Sequence, residues 1–373
     1  MTCVALDITA YREPSSGVQR AVLEGARAEL PFLGEFPCRV LGGPDCPEPS
    51  SDNTQFVRVA WSRSPAARLA WQQAILPRWL GRNDCRALQA CAYTAPLAGH
   101  TPVLLQVHDL IALEYPSLCS ILNSMQMRML LPASVRKAAR CLVSTRAVAD
   151  RLMAVLDVPS SRILVAPFGV DHRFFAAPGP APAITELAHD EPYFLFLGNI
   201  EPKKNIGVLL DAYSRYAASG GRTALVIAGR YGWKSKKVLA SLRTWRGAGH
   251  VIWLGRVPQP SLPGLLQRAS WLVMPSLVEG FGMPVLEAMA AGTPVIHSDA
   301  EALVEVAGSA GLVFPRLSPD ELARRLHEAD DTRRRQDCHA AALERAALFT
   351  WEKYGRMAAD ALLGLAIRTI ANP

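Results

Sequence analysis

Pro275-Ser276-Leu277-Val278-Glu279-Gly280-Phe281-Gly282-Met283-Pro284-Val285-Leu286-Glu287-Ala288-Met289 is the stretch from which the rest of the chain can be read. The apolar run Trp271–Met274 before it has the make-up of a buried strand, and Val285, Leu286 and Met289 after it recur at helical spacing. Gly280 and Gly282 allow a tight turn and a close approach of backbone to ligand. Pro284 suits the first position of a helix, where its missing N–H costs nothing. The amides of Phe281, Gly282 and Met283 then form a helix N-terminus, a ready site for an anion. Two carboxylates flank it, Glu279 in the loop and Glu287 one turn into the helix. Carboxylates accept hydrogen bonds, so the pattern suits an anion with hydroxyl groups on either side.

A second segment repeats the logic. Gly198-Asn199-Ile200-Glu201-Pro202-Lys203-Lys204-Asn205 follows the strand Tyr193–Leu197 and precedes a helix whose apolar residues are Ile206, Leu209, Leu210 and Tyr213. Asn205 is placed to cap that helix. Lys203 and Lys204 at a helix start oppose the helix dipole by about 0.3–1 kcal/mol each, a penalty that a bound diphosphate reverses. A diphosphate over the amides near Gly282 leaves one glutamate near a ribose and the other near a sugar.

Other candidates also follow strands. Arg230 in Ala228-Gly229-Arg230-Tyr231-Gly232-Trp233 can add charge to the phosphate region, with Trp233 packing over the loop. Val257 in Gly255-Arg256-Val257 can touch a base through its backbone. In the first half, His108-Asp109 ends the strand Val103–Val107, and the histidine is placed to bond a donor sugar or position an acceptor. Ser15-Ser16-Gly17-Val18-Gln19-Arg20 leads into a helix over Ala21–Leu30, with Gly17 at a turn that a diphosphate can approach. Phe168-Gly169-Val170-Asp171 reads as the floor of a hinge.

Strands alternate with helical patterns throughout, the sign of parallel α/β architecture. Besides those named, strands are expected at Cys3–Ile8, Phe56–Ala60, Cys141–Ser144, Ile163–Ala166, Ala224–Ala228, Val251–Leu254, Pro294–His297 and Gly311–Val313. The proline-rich stretch from Ala176 to Ile184 interrupts the pattern as a linker. The expected organisation is an acceptor-side Rossmann-like domain over 1–175, a linker over 176–187 and a nucleotide-binding Rossmann-like domain over 188–350. A final helix over 351–373 then crosses back to the first domain. The two domains would face a central cleft.

With 50% hydrophobic and 20% charged residues, the 373-residue chain has the composition of a folded protein. No apolar run reaches the ~18–20 residues that span a bilayer, and no secretory signal is visible, so a cytoplasmic location is expected. Eight cysteines stand without zinc or disulfide-framework spacing and read as buried free thiols. The net charge of +7 is uneven. Between Gln55 and His108 there are six arginines and one acid, Asp84; between Tyr115 and Ala149 there are four arginines, Lys137 and no acid. Such surfaces suit an anionic membrane or an acidic acceptor, and no motif accompanies them that would point to nucleic acid.

Taken in order, these segments resemble the family-4 glycosyltransferases of GT-B fold, two Rossmann-like parallel-sheet domains. The resemblance rests on Gly17, His108-Asp109, Phe168 to Asp171, Glu201 to Asn205, the Gly232-Trp233 loop and the Glu-x7-Glu segment. It implies retaining transfer from a nucleoside-diphosphate sugar, with Lys204 on the phosphate, Glu279 on the sugar, Glu287 on the ribose and His108 near the sugar O6. Many relatives carry an arginine where this chain has Asn199, and Lys203 is placed to replace that charge. Lys203 stands where a subgroup that reads Glu-Pro-Arg-Lys-Asn has its arginine, and that subgroup is similar to bacterial polysaccharide mannosyltransferases, which favours a GDP-linked, mannose-like sugar and a glycan or lipid-linked acceptor.

The hard step in such a transfer is departure of the diphosphate. Lys203, Lys204 and the helix N-terminus supply positive charge there, so no metal or other cofactor is expected, and no Asp-x-Asp motif occurs. An epimerase or hydrolase on the same fold, or a non-catalytic nucleotide-sugar-binding subunit, are the alternatives. A nicotinamide enzyme is disfavoured because no Gly-x-Gly-x-x-Gly follows any strand.

Overall fold

The computed structural model describes residues 2–13, 16–60, 64–176, 179, 181–182, 184–185, 187, 191–234 and 251–371. They form two compact units. One comprises Met1–Glu114, Leu122–Gly169 and Thr350–Pro373; the other comprises Tyr115–Ile121 and Val170–Phe349. Residues 177, 178, 180 and 183 of the proline-rich stretch lie outside the described residues, as does Ser15.

The first unit is built on seven parallel strands: β1 (Cys3–Asp7), β2 (Cys38–Gly42), β3 (Thr54–Arg58), β4 (Cys85–Ala90), β5 (Val103–Val107), β6 (Arg140–Val143) and β7 (Ile163–Val165). Their order is β3-β2-β1-β4-β5-β6-β7, so the winding reverses between β1 and β4. Strands β1 and β5 are buried along their whole length, as expected where both faces of a parallel sheet are covered. Helices α1 (Gly17–Glu29), α2 (Pro65–Ala74), α3 (Leu76–Arg82), α4 (Ile111–Glu114), α5 (Ile121–Lys137) and α6 (Arg146–Leu156) lie among the strands in sequence. The C-terminal helix, Trp351–Ala371, packs on α1 and β4.

Strands β2 and β4 escape the sequence reading. Each carries an arginine at its second position, Arg39 and Arg86, and β4 ends in Gln89-Ala90. Their extended form comes from pairing on either side of β1 rather than from local preference. Strand β3 is displaced from the expected Phe56–Ala60 because it pairs with β2 from Cys38↔Thr54 to Gly42↔Arg58. Helix α1 starts at Gly17, ahead of the expected Ala21. A reciprocal cap causes this: Gln19 N–H donates to Ser16 Oγ at 3.4 Å, and Ser16 N–H donates to Gln19 Oε1 at 2.8 Å. All eight cysteines are buried free thiols, with the sulfurs of Cys3 and Cys85 3.2 Å apart across β1 and β4.

The second unit has six parallel strands: β8 (Tyr193–Leu197), β9 (Ala224–Ala228), β10 (Val251–Gly255), β11 (Trp271–Met274), β12 (Val295–Ser298) and β13 (Gly311–Phe314). The order β10-β9-β8-β11-β12-β13 reverses between β8 and β11. Its helices are α7 (Ile206–Ala218), α8 (Leu262–Arg268), α9 (Met283–Ala290), α10 (Glu301–Ala307), α11 (Pro319–Glu328) and α12 (Thr332–Ala346). In open parallel sheets the crevice at the reversal, beyond the carboxyl ends of the strands, is where ligands bind. The two segments singled out above, after β8 and after β11, are the two that border it.

Candidate functional site

The apolar strand β8 delivers Gly198 to the carboxyl edge of the second sheet. There the chain is zipped to the loop after β9: Gly198 N–H donates to Ala228 O at 2.9 Å, Ile200 N–H to Arg230 O at 2.8 Å and Gly232 N–H to Ile200 O at 3.0 Å. Gly229 permits this approach, since a Cβ on it would lie 1.8 Å from Gly198 O. A short 3-10 turn, Pro202–Lys204, then carries the lysines inward. Asn205 does not cap α7 with its side chain. Its backbone is left-handed, at φ 52°, a conformation asparagine tolerates, and its amide donates to Arg316 O at 2.8 Å.

The loop after β11 meets this turn. Leu277 N–H donates to Lys203 O at 2.8 Å. The Lys204 ammonium lies 2.5 Å from Glu279 Oε1, with the two side chains 11% and 9% exposed. Ser276 Oγ donates to the same oxygen at 2.7 Å, and Ser298 Oγ donates to Ser276 O at 2.5 Å. Burial pushes the Glu279 carboxyl up, but the charges of Lys204 and Lys203 and these hydrogen bonds outweigh it and hold the group below its ordinary range. Glu279 is therefore an anion held beside a cation. Charge-assisted bonds of this kind contribute about 1.5–3 kcal/mol each.

Gly282 starts helix α9 at φ 98°, and a Cβ there would meet Leu303 Cδ2 at 2.5 Å, so only glycine fits the turn. Pro284 takes the second helical position rather than the first, an equally harmless place for a residue without an N–H. Gly282 O accepts from Val285 N–H at 2.9 Å, so the amides of Gly282 and Met283 lead the helix start. Glu287, in the body of α9, is 1% exposed. Phe281 is buried as well.

The remaining candidates of this unit line the same carboxyl edge in the order of the strands. Val257 follows β10, Arg230 follows β9, Asn199 and the lysines follow β8, and Glu279 follows β11. Asn199 Nδ2 donates to Glu201 Oε1 at 3.3 Å, and burial pushes the Glu201 carboxyl up. Trp233 reaches the segment Tyr115–Ile121, its indole N–H donating to Leu118 O at 3.0 Å. Tyr231 stacks on Trp253 with ring centroids 4.3 Å apart and half its surface exposed.

Two residues that sequence reasoning passed over organise this edge. Arg316, just after β13, donates to Asp299 Oδ1 at 2.6 Å and to Leu277 O at 2.8 Å, while its own carbonyl holds Asn205. It ties together the loops after β11, β12 and β13 and the start of α7. Ser276 orients Glu279. Neither stands out by spacing or residue type, because each acts on atoms brought near only by the fold.

In the first unit, His108 lies buried at the end of β5, its ring between Tyr93 and Phe168 at 5.1 and 5.8 Å. His108 Nε2 sits 3.0 Å from Cys91 O. A carbonyl only accepts, so Nε2 carries the proton and Nδ1 is left as an acceptor. Burial pulls the imidazole below its ordinary value, which keeps it neutral at physiological pH. Asp109 is structural: it accepts from Tyr93 Oη at 2.7 Å and from Ile111 N–H at 3.0 Å. Gly17 is the first residue of α1 rather than part of a turn, and nothing lies within 4 Å of the side chain it lacks. A polar cluster at the end of β1, missed in the sequence, joins Asp7 to Gln72 Nε2 at 2.8 Å and Gln72 Oε1 to Thr94 Oγ1 at 2.8 Å.

Comparison with known proteins bears on both halves. Residues 181–345 match the family model of glycosyl transferases group 1. The chain is 38% identical over 162 residues to the O-antigen chain mannosyltransferase B of Escherichia coli, covering 43% of this chain and 42% of that protein. It is 29% identical over 231 residues to the O-antigen chain mannosyltransferase RfbU of Salmonella typhimurium, covering 61% and 60%. The matches thus span less than two thirds of these relatives' own lengths. Among solved structures, a sucrose-phosphate synthase from Thermosynechococcus elongatus superposes with a TM-score of 0.74 at 18% identity, over 100% of this chain and 99% of the other. WaaG, a glycosyltransferase involved in lipopolysaccharide biosynthesis, does so with a TM-score of 0.72 at 18% identity, over 97% and 100%. The chain therefore has the GT-B fold of two parallel-sheet α/β domains, and its residues 181–345 resemble the glycosyl transferases group 1.

Proposed function

We propose that this chain is a retaining glycosyltransferase. It moves a hexose, mannose-like and GDP-linked by preference, to a hydroxyl of a glycan or lipid-linked acceptor in cell-surface polysaccharide synthesis. The observation that carries the reading is the Lys204–Glu279 pair at the strand-order reversal, beside the glycine-led start of α9. The named activities of the O-antigen relatives support the mannose-like donor.

In this reading the diphosphate takes the Lys204 ammonium and the amides of Gly282 and Met283, with Lys203 adding charge. Glu279, released from Lys204 but still held by Ser276, accepts from sugar hydroxyls. Glu287 forms the floor on which ribose hydroxyls come to rest. His108 Nδ1 accepts from the sugar O6 hydroxyl. Arg230 lies toward the phosphates and the Val257 backbone toward the base. As the bond from anomeric carbon to phosphate oxygen breaks, charge builds on the leaving diphosphate, and fixed cations stabilise it without reorganising. The acceptor hydroxyl attacks on the face the diphosphate leaves and passes its proton to the departing phosphate oxygen. Because protein cations neutralise the leaving group, the reaction needs no metal. Action at the inner face of a membrane, through contact with anionic lipid, belongs to the same reading. Among the described residues no helix is long and apolar enough to cross a bilayer.

A thermal-shift panel of GDP-, UDP- and ADP-sugars tests the donor. A GDP-sugar should raise the melting temperature most, and the gain should vanish in Glu279→Ala. No shift with any nucleotide sugar would remove the proposal. Free sugar or an epimer in place of a glycoside, with acceptor supplied, would favour a hydrolase or epimerase.

A further inference from the structure

We infer that helix α5 is a membrane-docking face for anionic lipid, seating its apolar side chains in the headgroup layer. This deepens the membrane contact proposed above by naming the surface, and it does not depend on the donor-site assignment.

An ordinary surface helix buries one apolar stripe and turns a polar face to water. Helix α5 is apolar on both. Its inner face buries Met127, Leu131 and Val135. That face is pinned to the first unit, with Ala95 N–H donating to Ser134 Oγ at 3.0 Å and Arg162 Nη2 donating to Val135 O at 2.7 Å. The outer face carries Leu122, Met125 and Met129, which are 77%, 61% and 74% exposed. Their spacing of three and four residues sets them side by side on one stripe. Three large apolar side chains this exposed on one helix face are a contiguous patch of the kind that marks an interaction surface.

The charge around the stripe selects the partner. Arg128 and Arg136 are exposed on α5; Arg136 falls within the arc of the stripe, and Arg128 flanks it by about 60°. From Tyr115 to Ala149 the sequence contains no acid. A second copy of the chain docked through this face would bring arginines toward their own symmetry mates with no carboxylate on this segment to pair them. A lipid surface suits both features, since acyl chains accept Leu122, Met125 and Met129 while anionic headgroups take the arginines. Methionine, unbranched and flexible, adapts to such a disordered layer.

The test uses the full chain and vesicles that contain neither donor nor acceptor, so failure here leaves the transfer reading intact and the reverse also holds. Wild-type protein should co-sediment with phosphatidylglycerol–phosphatidylcholine vesicles and much less with phosphatidylcholine alone. Leu122→Asp combined with Met129→Asp should lower the partition coefficient about tenfold or more at any salt concentration. Arg128→Ala combined with Arg136→Ala should lower it at low salt only. Should the double aspartate variant lose its cooperative thermal transition, the single Met129→Asp carries the same test. Absence of wild-type binding at low salt, or unchanged binding of the aspartate variants, would overturn the inference. So would a wild-type dimer in light scattering that the aspartate variants convert to monomer, since the stripe would then be a contact between copies.

Discussion

The ammonium of Lys204 and the carboxylate of Glu279, 75 positions apart in sequence, meet at 2.5 Å where the second sheet reverses its winding. Each is nearly buried, and each is the other's charge partner. A diphosphate and a hydroxyl-bearing sugar can divide this pair between them, the anion taking the lysine and the sugar the glutamate.

The pair is coupled in the free protein. Removing one member leaves the other buried without its counter-charge, which costs more than removing both. Urea unfolding of Lys204→Ala, Glu279→Ala and the double variant should give an interaction energy of about 1–3 kcal/mol. Additivity within about 0.5 kcal/mol would mean that the contact contributes nothing. The Glu279 carboxyl is held below its ordinary range, so its contribution is present above the unfolded-state value and lost as pH falls through the folded one. The interaction energy should therefore shrink in acid.

Arg316 is predicted to act on donor binding without touching the donor. Its bond to Leu277 O fixes the loop two residues before Glu279. Arg316→Ala should weaken nucleoside-diphosphate-sugar binding by about 3- to 30-fold, the equivalent of one or two lost hydrogen bonds. Arg316→Lys, which cannot reproduce the fork to both Asp299 and Leu277, should recover only part. Calorimetric titration decides this, and wild-type affinity in the alanine variant would exclude the role.

Much of this arrangement was legible in the sequence, for a local reason. Strands β8, β9 and β11 are continuous apolar runs, and the residues that follow them are glycines, prolines and charges with strong positional preferences. Strands β2 and β4 were illegible because Arg39, Arg86 and Gln89 interrupt any apolar pattern, and only pairing with β1 makes them extended. The start of α1 was misplaced because Gly17 resembles a turn residue, whereas the Ser16–Gln19 reciprocal cap decides the boundary. Asn205 has a cap's composition, yet its backbone is left-handed and its side chain serves Arg316. Contacts such as Arg316 to Leu277 join positions that no spacing rule connects.

Glu29 provides a pH test in the first unit. It is wholly buried near Gln89, and burial pushes its carboxyl up to about 8, with Gln89 offsetting only part. Because this value lies above the unfolded one, stability is full below about pH 4.5 and is lost as pH rises through about 8. Glu29→Gln removes the titration. The variant should match wild type near pH 4.5 and exceed it by roughly 2–4 kcal/mol at pH 8 in denaturant unfolding. A pH-independent difference would show that Glu29 does not titrate in this range.

The central claim is that Lys204 receives the diphosphate of a nucleotide sugar. Titration of GDP into wild-type protein and Lys204→Ala, followed by calorimetry at fixed ionic strength, tests it most directly. The account predicts saturable binding to wild type and a Kd about 10- to 100-fold weaker in the variant, as expected for loss of a bond between charged groups. Equal affinity in the two proteins, with both still folded, would contradict it.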